Sequence, residues 1–383
     1  MDRRQFLGAA ACATAALAAS GLAPQAWAAD WPSRPIRLVV AYPPGGGTDV
    51  VARLFADYFT KVIGQSVVVE NKPGGATIPA TQDVIRAKND GHTLLVTLGS
   101  SATSGAHINR VPYDPLTDLT ALAELGKAPV VMVANKDAPF SSLKELVAWS
   151  KANPGKPLHS ASYGPGTSSH FGPLLFNRLS GTHIEPVLYK GSAPATQDLV
   201  GGVVPLMIDG LTTGVPLYQA GKTKVLATTI PERSELAPGA PTFRELGFPE
   251  MEQLSGYFAL FGPKAMPKET VEAVSAAVRK VLADPAYHKR LAGVGVLPPQ
   301  AVTPDAFATQ IKTDHARWAS SSRTSASRSR EPRRQRQLPY HRGISHPGPG
   351  ALCYGLCVAC RRSGRAIRPA AGATPARNQR TPP

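Results

Sequence analysis

Short apolar runs alternate with amphipathic stretches through most of the chain, from about residue 31 to residue 318. The apolar runs suit buried strands, and the amphipathic stretches carry apolar residues at helical spacing. Predicted strands cover residues 38–41, 66–70, 92–98, 128–133, 158–162, 184–189, 203–209, 224–229 and 257–261. Predicted helices begin at Asp49 and cover residues 78–88, 142–152, 168–179, 267–283 and 304–318. This alternation predicts an α/β fold with mostly parallel sheets.

The sequence LVVAYPPGGGTD, residues 38–49, joins the first predicted strand to the first predicted helix. Gly45, Gly46 and Gly47 leave backbone N–H groups bare near the positive end of a helix dipole. Such a turn can hold a carboxylate or a phosphate without any cationic side chain. An ordinary glycine-rich turn between a strand and a helix is the alternative interpretation.

Glycine, serine and threonine collect where predicted strands end, at residues 45–48, 99–104, 162–169 and 190–192. Ligands of open α/β sheets bind at the carboxyl edge of the strands, so these four loops predict one cleft for a small anion. Helices predicted to begin at Thr48 and Ser168 would add their dipoles. Binding of this kind needs no metal, no cofactor and no reactive side chain.

Two charged residues also follow predicted strands. Lys190 is the one cation that these loops place where it could touch a ligand, although a lysine at a strand end is usually a solvated surface residue. Asp209 ends an apolar run, where an acid usually caps a turn or a helix.

Residues 1–28 have the form of a bacterial export signal. Arg3 and Arg4 precede a short alanine-rich apolar run, and the A-x-A pattern that ends at Ala28 predicts cleavage there. A twin arginine before Phe-Leu is typical of the Tat pathway, and a Sec signal with a chance arginine pair is the alternative. Either pathway exports the mature chain, which we expect in the periplasm.

The composition changes abruptly at residue 319. Thirteen arginines, no lysine and one acid give residues 319–383 a formal charge of +12, out of +16 for the whole chain. The basic pI is therefore a property of this tail and predicts no nucleic-acid partner for the folded part. We interpret the tail as disordered. It could be a basic arm, a metal-binding module at Cys353, Cys357 and Cys360, or the product of a shifted reading frame, and its composition favours the shifted frame.

The remaining body, residues 29–318, has no cysteine, because Cys12 lies in the predicted signal. It can therefore form no disulfide, and its formal charge is only about +3 once the signal and the tail are set aside. A body of this length is long enough for two lobes that each bury a core.

Seven short sequence motifs follow one another along the body. They are residues 31–40 (WPSRPIRLVV), 43–49 (PPGGGTD), 67–74 (VVVENKPG), 90–95 (DGHTLL), 112–115 (PYDP), 161–170 (ASYGPGTSSH) and 189–195 (YKGSAPA). With these motifs in this order, the chain closely resembles the periplasmic substrate-binding proteins of the tripartite tricarboxylate transporters, the Bug family. The resemblance covers residues 31 to about 318.

The resemblance implies a two-lobed, type II-like periplasmic-binding-protein fold, in which helices flank a mostly parallel sheet in each lobe and the ligand cleft lies between the lobes. We expect residues 29–132 and 256–318 to form the first lobe, and residues 133–255 to form the second. The crossing strands are expected near residues 130–135 and 256–261.

The resemblance also implies contacts at the ligand. In such proteins, loops like residues 44–48 and 162–168 bind a carboxylate, partly through water, and a loop like residues 99–101 adds contacts. An acid like Asp209 can bind the ammonium group of a ligand that has one. The predicted ligand-binding residues are Pro44, Gly45, Gly46, Gly47, Thr48, Asp49, Gly99, Ser100, Ser101, Ser162, Gly166, Thr167, Ser168, His170 and Asp209. The expected function is that of a monomeric solute receptor, for delivery of a di- or tricarboxylate, an acidic amino acid or an aromatic acid to an inner-membrane permease, or for sensing.

Two exported enzymes are the alternatives. Gly45 and Gly47, with Glu70 at the end of the next strand, resemble a dinucleotide fingerprint, but its third glycine is absent. A hydrolase triad would use Ser168, His170 and Asp209. No G-x-S-x-G elbow is present, and two residues spaced by two on a helix point about 200° apart. We therefore predict a binding protein and no enzyme.

Overall fold

A computed structural model describes residues 31–328. The predicted signal, its cleavage site after Ala28, and the tail from residue 329 onward lie outside the described residues, as do Cys353, Cys357 and Cys360. Within the described part, strands and helices form two lobes that are each built on one sheet.

The first sheet has five strands in the order β2-β1-β3-β10-β4. Its strands are β1 (Ile36–Val40), β2 (Val67–Asn71), β3 (Thr93–Leu98), β4 (Leu119–Ala128) and β10 (Gly256–Pro263). Alternate residues of these strands face opposite sides of the sheet, so both faces are apolar and both are covered. On one face, the rings of Phe55 and Phe59 stack with centroids 4.8 Å apart, and on the other the rings of Phe261 and Phe307 lie 5.5 Å apart.

The second sheet repeats this plan in the order β7-β6-β8-β5-β9. Its strands are β5 (Val130–Asn135), β6 (Leu158–Ser162), β7 (Ile184–Leu188), β8 (Leu206–Gly210) and β9 (Thr223–Thr228). One face packs around Phe140, Phe176 and Phe243, all of which are buried. The other face packs residues from the opposite side of the same strands, among them Val131, Val133 and Met207.

In each described sheet, one strand runs against the other four. These reversed strands are β10 in the first sheet and β5 in the second, and each enters its sheet directly from the other lobe. The two-lobed α/β fold is confirmed. Adjacent strands, however, are paired antiparallel as often as parallel, because the reversed strand lies inside the sheet rather than at its edge.

The first crossing differs from its predicted position. β5 pairs with β8 and β9 along its whole length, so it belongs entirely to the second sheet. The chain therefore changes lobe at Pro129, between β4 and β5, a few residues before the predicted boundary at residue 132. The prediction missed β4, because its apolar positions are mixed with Glu124 and Lys127. The return crossing leads into β10 at Gly256, as predicted.

The helices cover the faces of both sheets. They are α1 (Gly47–Ile63), α2 (Ile78–Ile85), α3 (Ser104–Ile108), α4 (Leu143–Ala152), α5 (Ser168–Ser180), α6 (Ser192–Val200), α7 (Leu211–Gln219), α8 (Lys268–Leu282), α9 (Pro285–Gly293) and α10 (Pro304–Arg328). The sequence prediction missed α3, α6, α7 and α9, which are short. No helix among the described residues has the length and hydropathy to cross a membrane.

The last helix continues beyond its predicted end. The backbone of α10 is helical to Arg328, so residues 319–328 are not the disordered segment that the change of composition predicted. These ten residues contain neither proline nor glycine, and nothing in their sequence stops a helix that has already begun.

Candidate functional site

Two of the cavities where the lobes meet share Tyr42 and Tyr163 as lining residues. The larger of these two has a volume of about 490 Å³ and the smaller about 40 Å³. The larger is lined by Ala41, Tyr42, Gly74, Gly75, Ala76, Thr77, Ile78, Ser100, Ser101, Gly105, Asn109, Arg110, Tyr163, Gly164, Pro165, Thr167, Leu188, Tyr189, Lys190 and Gly191. Both lobes contribute to each cavity, so a ligand held there would contact both.

The first predicted loop faces the smaller cavity. Gly46, Gly47 and Thr48 line it at the start of α1, whereas Pro44 and Gly45 line neither cavity. Glycine is required at Gly45 because its φ of +79° is one that side chains rarely adopt. The loop thus presents the N-terminus of α1 to the cleft, as the sequence predicted.

Asp49 fastens this loop and does not face a cavity. Its carboxylate accepts hydrogen bonds from the Gly45 N–H at 3.0 Å and from the Asn71 side chain at 2.9 Å, and it pairs with Arg53. Burial alone would raise the pKa of Asp49, but these partners lower it overall. Asp49, which the sequence analysis counted among the ligand contacts, thus has its carboxylate bound to groups of its own lobe.

In the loop before α5, hydrogen bonds to other protein groups use several of the predicted side chains. The Ser162 hydroxyl lies 3.1 Å from the Ser169 hydroxyl, and the Ser168 hydroxyl donates to the Leu254 carbonyl. The Gly166 N–H donates to Nδ1 of His170 at 3.2 Å, and burial lowers the pKa of this histidine. Of the predicted residues in this loop, Thr167 lines the larger cavity, together with Tyr163, Gly164 and Pro165.

These bonds also bear on the hydrolase alternative. The Ser168 hydroxyl is bound to a main-chain carbonyl, and His170 accepts from Gly166, so neither is hydrogen-bonded to the other or to Asp209. The three residues do not form a triad in this structure.

In the loop after β3, too, only some of the predicted residues line a cavity. Ser100 and Ser101 line the larger cavity, but Gly99 does not. Gly99 instead packs against the ring of Tyr257, which a Cβ atom at this position would overlap. Gly99 is thus needed for the close approach of β10.

A loop that the sequence analysis did not select forms part of the larger cavity. Gly74, Gly75, Ala76 and Thr77 all have positive φ, at 132°, 31°, 53° and 68°. Left-handed backbone costs a non-glycine residue about 1–2 kcal/mol, and such strain concentrates at ligand-binding loops. The Thr77 hydroxyl is buried and has no hydrogen-bond partner among the described residues. The sequence signal for this loop was the Pro-Gly-Gly at residues 73–75, of which the sequence analysis used only Pro73 and Gly74, as the end of a motif.

Five helices begin at the cavity walls. They are α1, α6 and α7 at the smaller cavity, and α2 and α5 at the larger. Helix N-termini carry unpaired N–H groups and partial positive charge, which favour an anion. Of these five helices, α1 and α5 were predicted to have this role.

Asp209 lies in the smaller cavity and is almost fully buried. Its carboxylate accepts from the Ser192 hydroxyl at 2.8 Å, from the Gly210 N–H at 2.9 Å and from the Thr213 hydroxyl. Burial nonetheless raises its pKa to about 6, because these neutral donors only partly replace the water that the charge loses.

The lobes are closed on each other, with glycines at the contacts. Gly191 of the second lobe packs against Pro43 of the first, and a Cβ at Gly47 would lie 3.4 Å from Cβ of Thr212. The buried Ser104 hydroxyl donates to the Gly166 carbonyl across the cleft at 2.6 Å. Within the described residues, no cluster of three His, Cys, Asp or Glu side chains is arranged to hold a metal ion.

Comparison with known proteins gives one consistent result. Residues 51–320 match the model of the tripartite tricarboxylate transporter family receptor. The chain is 34% identical over 305 residues to protein BugT of Bordetella pertussis, covering 79% of this chain and 93% of BugT. It is similar to the structure of MatC from Rhodopseudomonas palustris with bound malate, with 33% sequence identity and a TM-score of 0.69, covering 75% of this chain and 98% of MatC. It is also similar to the structure of the periplasmic binding protein BugD, with 31% identity and a TM-score of 0.71, covering 77% of this chain and 99% of BugD.

Proposed function

Since this chain belongs to the tripartite tricarboxylate transporter receptor family, we propose that it is a solute receptor that binds a small carboxylate between its two lobes. The observation that carries the proposal is the convergence of five helix N-termini on cavities that both lobes line. The bound malate in MatC supports a carboxylate as the class of ligand.

Ligand contact is assigned to those predicted residues that line the cavities. In the larger cavity these are Ser100, Ser101 and Thr167, and the loop at residues 74–77 joins them. In the smaller cavity they are Gly46, Gly47, Thr48 and Asp209. We assign supporting roles to Asp49, Gly99, Ser162, Gly166, Ser168 and His170.

The receptor acts without chemistry on its ligand and delivers it to a permease in the inner membrane. The relative BugD is a periplasmic binding protein, which supports the same location for this chain. Export through the Tat pathway with cleavage after Ala28 would produce the mature protein. Arg3→Lys combined with Arg4→Lys should then block export, whereas continued processing of that variant would indicate the Sec pathway.

The direct test is to identify what the protein carries. Mass spectrometry of the protein purified from its periplasmic fraction should detect a bound small carboxylate. Calorimetry with di- and tricarboxylates, acidic amino acids and aromatic acids should then show binding by at least one of them at one site per chain. If no carboxylate binds and none co-purifies, the proposal is wrong.

A further inference from the structure

Two cations from opposite lobes line the larger cavity. Arg110 follows α3 in the first lobe, and Lys190 follows β7 in the second. Both residues are exposed, and neither forms an ion pair within residues 31–328.

The cavity holds no charge that would compensate them. None of the described residues that line it is an aspartate or a glutamate. Asp209, the acid of the site, lines the smaller cavity instead. The walls of the larger cavity therefore carry two formal positive charges and no negative one, in addition to the partial positive charge where α2 and α5 begin.

The position of these cations on different lobes gives them a role in closure. When the lobes close, Arg110 and Lys190 come to line one space, and two like charges repel each other there. A ligand with one carboxylate, held by backbone N–H groups, leaves both cations unpaired. A second carboxylate lowers their combined positive charge and joins the lobes through charge-assisted hydrogen bonds to both.

We propose that Arg110 and Lys190, one from each lobe, bind the second carboxylate of a dicarboxylate ligand and so make closure depend on a doubly charged guest. This inference rests on the proposed function, since it assigns a second recognition element to the same cleft. Arg110 provides a planar fork for the carboxylate, and Lys190 provides a point charge from the other side.

The test compares ligands of equal length that differ in one carboxylate. Calorimetry at low ionic strength would measure adipate against hexanoate and succinate against butyrate. We expect the unaltered protein to bind the dicarboxylate of at least one pair about tenfold or more tightly than its monocarboxylate, because a hydrogen bond to a charged group contributes at about this level.

The variants Arg110→Gln and Lys190→Gln keep polar side chains of similar length. Each should weaken the binding of the preferred dicarboxylate about tenfold and change the affinity for the monocarboxylate by no more than about twofold. The double variant should bind both members of the pair with similar affinity. Added salt should weaken dicarboxylate binding to the unaltered protein more than to the double variant.

Matched controls come from each lobe. Arg86 and Lys222 are exposed, have no ion pair among the described residues and do not line either cavity. Arg86→Gln and Lys222→Gln remove the same charges from the same lobes and should leave the affinities for both ligands unchanged. Melting temperatures of all variants check that each is folded.

The outcomes separate this inference from the proposed function. If the unaltered protein binds no carboxylate, the proposed function is wrong. If it binds mono- and dicarboxylates with equal affinity, or if Arg110→Gln weakens both by the same factor, the receptor role stands and the paired-cation role is overturned.

Discussion

Closure of the lobes can be tested at Gly166, which lies in the second lobe just before α5. Its φ is +79°, and a Cβ atom added there would lie 2.6 Å from Cα of Gly105 in the first lobe. An alanine at this position meets main chain and not a flexible side chain, so the neighbour cannot move away without shifting α3. In the open state Gly105 moves away, and only the backbone strain of the substitution remains.

The size of the effect follows from these two parts. Left-handed backbone costs alanine about 1–2 kcal/mol relative to glycine in both open and closed states, so it lowers stability without changing affinity. Overpacking that forces a backbone shift costs about 1–3 kcal/mol, and here it acts on the closed state alone. Because ligand binds with closure, the apparent Kd of Gly166→Ala should rise about 5- to 150-fold.

Gly181→Ala is the matched control. Gly181 has a similar φ of +70° at the other end of α5, and the nearest atom to its added Cβ is Cε of Lys151, at 3.7 Å in the same lobe. Both variants should lose similar amounts of stability in chemical denaturation, but calorimetry should show weaker binding for Gly166→Ala only. Equal affinities in the two variants would refute the assignment of Gly166 to the closing contact.

Three further predictions concern the cleft and the core. Ser104→Ala removes the 2.6 Å hydrogen bond to the Gly166 carbonyl across the cleft and should raise the Kd about two- to tenfold at nearly constant melting temperature, and an unchanged Kd would contradict this. Burial raises the pKa of Asp209 to about 6, above its unfolded value near 3.8, so the native state keeps this proton to a higher pH than the unfolded state does. The free energy of unfolding should therefore fall by about 3 kcal/mol as the pH rises from about 4 to about 6, and the same pH dependence in Asp209→Asn and in the unaltered protein would contradict this. Phe307→Ala, in α10, opens a cavity beside Phe261 in a fully buried position and should cost about 3–5 kcal/mol in urea denaturation, and a loss below about 1 kcal/mol would show that α10 does not anchor the first lobe.

The elements that the sequence revealed are those with strong periodicity. Strands such as β6, a run of small and apolar residues closed by glycine and proline, were predicted at their observed bounds. β4 was missed because Glu124, which lies fully buried in it, and Lys127, which pairs with that carboxylate in the same strand, interrupt the apolar pattern. The place of the reversed strands inside each sheet was equally inaccessible, because periodicity carries no information about which strands become neighbours.

The site was predicted at the level of loops and less well at the level of side chains. Glycine-rich strand ends were predicted to form the cleft, and loops that follow strands of both sheets line the two cavities. Which groups remain free for a ligand depends on local hydrogen bonding. Ser168 and His170 resemble ligand contacts in the sequence, yet the Ser168 hydroxyl is bound to the Leu254 carbonyl and Nδ1 of His170 accepts from the Gly166 N–H. Thr77 shows the opposite, since only its left-handed backbone and unpaired hydroxyl draw attention to it.

The glycines at the closing contacts and the cations in the larger cavity affect affinity in ways that can be told apart. Gly191 and Gly166 let main chain of the second lobe approach the first lobe, but a glycine adds no apolar side chain to the contact. The ligand must then supply much of the free energy of closure, because it can shift the equilibrium only by binding the closed state better. A change at Gly166 alters closure itself and should weaken every ligand by one common factor. A change at Arg110 alters what the closed state recognises, so its effect should depend on whether the ligand carries a second carboxylate.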